Sequence, residues 1–116
     1  QIYRIGDLYH LVFCTTASSD WASRELLVTP FKRRFPDHQF RSADYSMVGD
    51  SPLGPFKMHG TGEIVSNRAS VAPYASHIVW WKGQFVMIGT VRENGRPALC
   101  DPIPVAVDET GIHAVS

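Results

Sequence analysis

The sequence has no excess of either charge, no long apolar run and almost no cysteine, and each shortage excludes a class of function. Eleven Lys and Arg residues balance eleven Asp and Glu across 116 residues. No net field therefore draws the chain to nucleic acid or to an anionic bilayer. The densest basic cluster, Lys32-Arg33-Arg34, runs at once into Phe35-Pro36-Asp37 and reads as a solvated loop. The longest apolar stretch, Val79 to Val91, is interrupted by Lys82, Gly83 and Gln84. It falls short of the roughly 20 residues of a membrane span. No basic segment followed by an apolar one opens the sequence, so no secretory leader is read there. The two cysteines, Cys14 and Cys100, form no metal-like cluster. Cys14 lies in an apolar run and is expected to be small and buried; a disulfide between the two stays open.

Helical periodicity is almost absent too. Hydrophobic residues make up 44% and charged residues 19%, the composition of a globular chain. Its apolar pattern alternates in short runs separated by Gly, Pro, Asp and Ser, which predicts an all-β domain. Strands are expected at Ile2–Ile5, Leu8–Thr15, Arg24–Thr29, Phe40–Val48, Gly60–Ser66, His77–Trp81, Gln84–Val91, Ala98–Val107 and Ile112–Val115. The stretch Ala98–Val107 contains two prolines and reads as an edge strand.

Two hairpins align without a gap. Ile2 falls on Ile78, Tyr9 on Phe85, Leu11 on Met87 and Val12 on Ile88, all at an offset of 76 residues. Two copies of a small antiparallel unit suggest propeller blades, each leaving an apolar face for a neighbour to cover. The chain is expected to hold about two blades, one in residues 1–70 and an incomplete one in residues 71–116, and to need more chain or self-association to bury those faces. An unrelated β-sandwich is the competing architecture.

The run Ile2-Tyr3-Arg4-Ile5-Gly6-Asp7-Leu8-Tyr9-His10-Leu11-Val12-Phe13 and the turn Asp50-Ser51-Pro52-Leu53-Gly54-Pro55-Phe56 carry a resemblance. So do Ala72-Pro73 ahead of His77 and the late segment Asp101-Pro102-Ile103-Pro104-Val105 with Asp108-Glu109-Thr110-Gly111. Together these resemble the five-bladed β-propeller glycoside hydrolases: the arabinanase/xylosidase group and the related invertase/levanase group. The resemblance implies a partial propeller of antiparallel blades and a carbohydrate partner, a pentoside or fructoside. It implies no cofactor and no metal. In that group two carboxyl groups from different blades flank the scissile bond, at the leading ends of the innermost strands.

The corresponding end of the second hairpin here is Tyr74-Ala75-Ser76-His77, which has no carboxylate. His77 stands at the position of the acid in the invertase-like alignment. An imidazole there can donate to or accept from a sugar hydroxyl. The catalytic acids are thus expected from segments outside this sequence, and Asp44, in a strand beside Tyr45, is the catalytic candidate within it. His77, Tyr74 and Trp81 are the candidate substrate contacts. Trp80 and Trp81 face opposite sides of a strand; one is expected in the core, the other against a sugar ring or a neighbouring blade. The alternative is a carbohydrate-binding or scaffolding module without catalysis. No Gly-x-Ser-x-Gly, Cys-x-x-Cys, His-Glu-x-x-His or phosphate-loop pattern occurs.

Overall fold

A computed structural model of the chain describes residues 1–15, 37 and 41–115. The strand expected at 24–29, the Lys32–Arg34 triplet, and Asp20 with Trp21 lie outside them. Among the described residues the fold is all-β. Eight strands follow one another: β1 (Ile2–Ile5), β2 (Leu8–Thr15), β3 (Ala43–Gly49), β4 (Tyr74–Trp81), β5 (Gln84–Glu93), β6 (Arg96–Leu99), β7 (Ile103–Asp108) and β8 (Gly111–Ala114). They form two antiparallel sheets, β1-β2-β3 and β4-β5-β7-β8, with β6 paired to the far half of β5.

Turn chemistry fixes the β4–β5 and β5–β6 connections. Lys82 and Gly83 both have positive φ, 49° and 77°, and so do Asn94 and Gly95 at 52° and 75°. Two successive left-handed residues make the type I′ turn, whose twist matches that of the flanking strands. The first hairpin has register Ile2 to Leu11, Tyr3 to His10, Arg4 to Tyr9 and Ile5 to Leu8. The second pairs Ile78 with Met87, Val79 with Val86, Trp80 with Phe85 and Trp81 with Gln84. Every member of the second set is its counterpart plus 76, so the sequence alignment and the backbone registers coincide. The correspondence extends to contacts. Arg4 lies over the Tyr9 ring at 5.9 Å, and at the matching pair Trp80 meets Phe85 edge-on at 4.8 Å.

The next strands continue the parallel. β3 runs beside β2, with Tyr9 opposite Gly49, and β7 runs beside β5, with Phe85 opposite Val105. A fourth position is filled by β8 in the second sheet. In the first sheet the segment 57–63 takes that place through two isolated bridges, Val48 to Lys57 and Tyr45 to Glu63. The strand expected at Gly60–Ser66 is therefore only a bridge. Gly60 and Gly62 adopt φ of 58° and 72°, outside the extended region a continuous strand requires. The edge strand expected at Ala98–Val107 is split in two. Pro102 has no amide to give to a ladder, and the chain crosses there from one half of β5 to the other.

The Ser51–Phe56 turn behaves as its composition predicts. Gly54 N donates to Ser51 O at 3.0 Å and the Ser51 hydroxyl to Gly54 O at 2.8 Å. Lys57 then pairs back onto Val48, and the Phe56 ring packs over Gly49.

The core lies between the sheets. Val12 from the first sheet and Ile78, Met87, Val105 and Ile112 from the second meet around Ile64 and Val65. The sheets are also joined by polar contacts, since Ser46 Oγ accepts the Ile112 amide at 3.0 Å. Two expectations about the core fail. Cys14 is exposed: it lies on the core-directed face of β2, but at the strand's end, where a cleft opens between it and β4. Trp80 and Trp81 are 65% and 45% exposed, so neither is core. Trp80 shares a face with buried Ile78, but its ring lies edge-on to Phe85 near the turn and stays open to solvent.

His10 is 1% exposed and its Nδ1 has no hydrogen-bond partner. Burial holds its imidazole below the ordinary value, against a raising effect of Asp108 and with a lowering effect of His113. A depressed folded-state value means that the neutral ring is favoured by folding. The stabilisation is complete above the unfolded value of about 6.5 and is lost as pH falls through the folded one. Thermal melts from pH 8 to pH 5 are therefore expected to show a loss of stability in the wild type that His10→Asn lacks. Parallel curves for the two proteins would refute this.

Candidate functional site

The inner edges of the two hairpins meet at one place. Gln1 and His77 are equivalents at the 76-residue offset, and Gln1 Nε2 lies 3.2 Å from His77 Nδ1. Gln1 is held in register by reciprocal main-chain bonds to Val12 of 2.7 and 2.8 Å. Beside this pair, the Tyr3 hydroxyl accepts the Ile78 amide at 3.1 Å. Tyr3 also hydrogen-bonds the Gln1 side chain. These bonds tie β1 to β4 end to end along a shared edge.

A cleft of about 450 Å³ opens at this edge, lined among others by Gln1, Phe13, Cys14, Asp44, Ala75 and His77. Asp44 forms its floor. Register places it opposite Cys14 on the face of β3 that looks toward β4. Asp44 is 2% exposed, and its carboxylate spans two main-chain donors, accepting Ala75 N at 3.0 Å and Ser76 N at 2.9 Å. Those two amides belong to a β-bulge between Tyr74 and His77. Ala75 has φ of 54° there, uncommon for a residue with a Cβ. A bulge removes amides from the ladder, and Asp44 supplies the acceptors that the ladder does not. Burial raises the Asp44 carboxyl above its ordinary value, opposed by hydrogen bonding from Ser76 and Ala75.

Tyr74 stands at the rim. A hydrogen bond with Cys14 raises its phenol, helped by partial burial and by the charges of Cys14 and Asp44. The residue is 36% exposed and also walls a second cleft of about 640 Å³ with Ser42, Thr90 and Arg92. Asp44, Tyr74 and His77, read separately from the sequence, thus converge on one edge. Trp81 does not join them. It shares the exposed face of β4 with His77 and Val79 but sits four positions on, roughly 13 Å at the usual strand rise. Its ring carries the Lys82 ammonium at 4.5 Å.

Gln1 is the site residue that sequence reasoning missed. The signal was available, because the same offset that matched Ile2 to Ile78 also matches Gln1 to His77. Cys14 was read as packing and instead faces the cleft. Among the described residues no group of three or more His, Cys, Asp and Glu side chains is placed to hold a metal ion.

Compared with protein-family models, curated proteins and solved structures, the chain matches none. The functional reading therefore stands on the geometry.

What that geometry can do is specific. It offers an amide and an imidazole able to donate and accept, a half-exposed aromatic ring, and one carboxyl group committed to the backbone. That set suits recognition of hydroxyl groups. Glycoside hydrolysis ordinarily uses two carboxyl groups; among the described residues this cleft has one, and both of its oxygens are bonded to the backbone.

Proposed function

We propose that this chain is a carbohydrate-recognising part of a propeller-type glycoside hydrolase, its two sheets being neighbouring blades and its ligand a pentoside or fructoside. The observation that carries the reading is the meeting of Gln1 and His77. Two hairpins with registers offset by the same 76 residues bring equivalent leading ends together over a cleft. Face-to-face sheets alone would suit a sandwich equally well. Equivalent strands meeting at equivalent positions are what rotation about a common centre produces. In this reading Gln1 and His77 contact sugar hydroxyls, Tyr74 offers its ring, and the acids that cleave the bond come from other blades.

A non-catalytic binding module is the second reading, and the bonding of Asp44 favours it. Both oxygens of that carboxyl group accept main-chain amides, so the carboxylate in this cleft maintains backbone geometry.

Titration calorimetry with arabino-, xylo- and fructo-oligosaccharides tests the proposal. At least one series is expected to bind saturably, and His77→Ala is expected to weaken it roughly tenfold, the effect of removing one hydrogen-bonding side chain. Failure of all three series to bind would overturn the proposal. In a protein that also carries the acid-bearing blades, binding without release of reducing sugar selects the second reading.

A further inference from the structure

The second cleft differs in charge from the first. Among the described residues its lining holds one cation, Arg92, and no carboxylate. Strand register shows how it is built. Thr90 of β5 lies opposite Tyr74 of β4, so Arg92, two residues on, projects from the same face beside Tyr74. Pro97 of β6 lies opposite Arg92 and closes one wall, while Ser42 and Val71 from the first sheet's side close the other. Among the described residues the one hydrogen bond of Arg92 runs from Nη1 to Gly95 O at 3.2 Å. That bond anchors the guanidinium from behind and leaves most of its five donors for something else. Asp44, whose charge reaches Tyr74, is turned onto the amides of Ala75 and Ser76, so it does not neutralise Arg92.

We propose that this cleft seats a sugar carrying a carboxylate, a hexuronate, with the Arg92 guanidinium on the carboxylate and the Tyr74 ring beneath the sugar. The inference rests on the carbohydrate reading above and specifies its ligand as an acidic saccharide. Three features support it. A guanidinium matches a carboxylate with two parallel hydrogen bonds. The volume falls in the range of small-ligand sites. Tyr74 walls the second cleft and stands at the rim of the first, so one saccharide can lie across it, with neutral units toward His77 and Gln1 and the acidic unit toward Arg92.

The test compares two ligands of equal backbone length: a xylo-oligosaccharide bearing one glucuronate, and the same oligosaccharide without it. Calorimetry on the full chain at low salt is expected to show roughly tenfold or greater preference for the acidic ligand, from one charge-assisted pair. The preference is expected to shrink in 0.5 M sodium chloride, as screening requires. It is expected to disappear in Arg92→Gln and to survive in part in Arg92→Lys. Equal binding of the two ligands by the wild type would overturn the inference and leave the carbohydrate reading intact. Binding of neither would remove both. A preference that persists in Arg92→Gln would also overturn it, because the carboxylate would then be read elsewhere.

Discussion

Replacing Arg41 by alanine is expected to destabilise the fold by about 3 kcal/mol, the lower end of the cost of removing one partner from a buried ion pair. Glu63 is 5% exposed. Its carboxylate takes Arg41 Nε at 2.6 Å on one oxygen and Arg68 Nη2 at 3.3 Å on the other. The guanidinium of Arg41 does more than neutralise that charge. It donates to the carbonyls of Val65 and Asn67 through Nη2 and to that of Ser70 through Nη1. One side chain therefore gathers the 63–70 segment, and that segment supplies Ile64 and Val65 to the core. The same charges reach Tyr45, whose phenol is pushed up to about 12, chiefly by burial and then by Glu63. Arg41→Lys should rescue little, since an ammonium cannot reach a carboxylate and several carbonyls in the fixed fork that guanidinium provides. Glu63→Gln keeps the shape and is expected to cost about 1–2 kcal/mol. Urea denaturation midpoints at neutral pH measure all three. A loss under about 1 kcal/mol in Arg41→Ala, the scale of an exposed pair, would mean that the carboxylate is held well enough without Arg41.

This clamp was not legible in the sequence, and the reason is physical. Arg41 and Glu63 are 22 residues apart on segments without regular structure. No periodicity links such a pair, and either residue alone reads as surface. The hairpins were legible because the information that builds them is local. Alternation chooses the buried face, and two-residue turns such as Lys82-Gly83 fix the register. Where tertiary cover decides, the local pattern misleads. Cys14 and Trp80 each lie on the core-directed face of their strand, as alternation says. Cys14 nevertheless faces an open cleft and Trp80 is left exposed, because a strand does not encode how closely its neighbour covers it. The site was half legible for the same reason. Asp44, Tyr74 and His77 could be chosen by residue type and by position near strand ends. That Asp44 would turn onto the backbone depended on a bulge at Ala75, which no glycine announces.

That bulge makes Asp44 the second large lever on the fold. Asp44→Ala leaves a buried amide, that of Ser76, and a part-buried one, that of Ala75, without their acceptor. An unsatisfied buried donor costs about 1–3 kcal/mol and a part-buried one less, so a total of about 2–4 kcal/mol is expected. Asp44→Asn retains one acceptor oxygen and turns an amide group toward the other donor, which should recover part of that loss. The pH dependence separates a carboxyl group from a mere acceptor. Burial raises the folded-state value of Asp44 above its unfolded one, so the folded protein holds the proton more tightly. Stability from that source is present below the unfolded value of about 3.9 and is lost as pH rises through the folded value. The stability of the wild type relative to Asp44→Asn should therefore decline across that interval and then level off. If the difference instead grew with rising pH, the amide bonds would outweigh burial and Asp44 would be a carboxylate stabilised by the bulge. The same variants bear on function, because the bulge sets the position of His77. In both of them saccharide affinity is expected to fall together with stability. An Asp44→Asn protein that kept its fold and its binding but lost a hydrolytic activity would show that Asp44 takes part in the chemistry and does not only hold the strand.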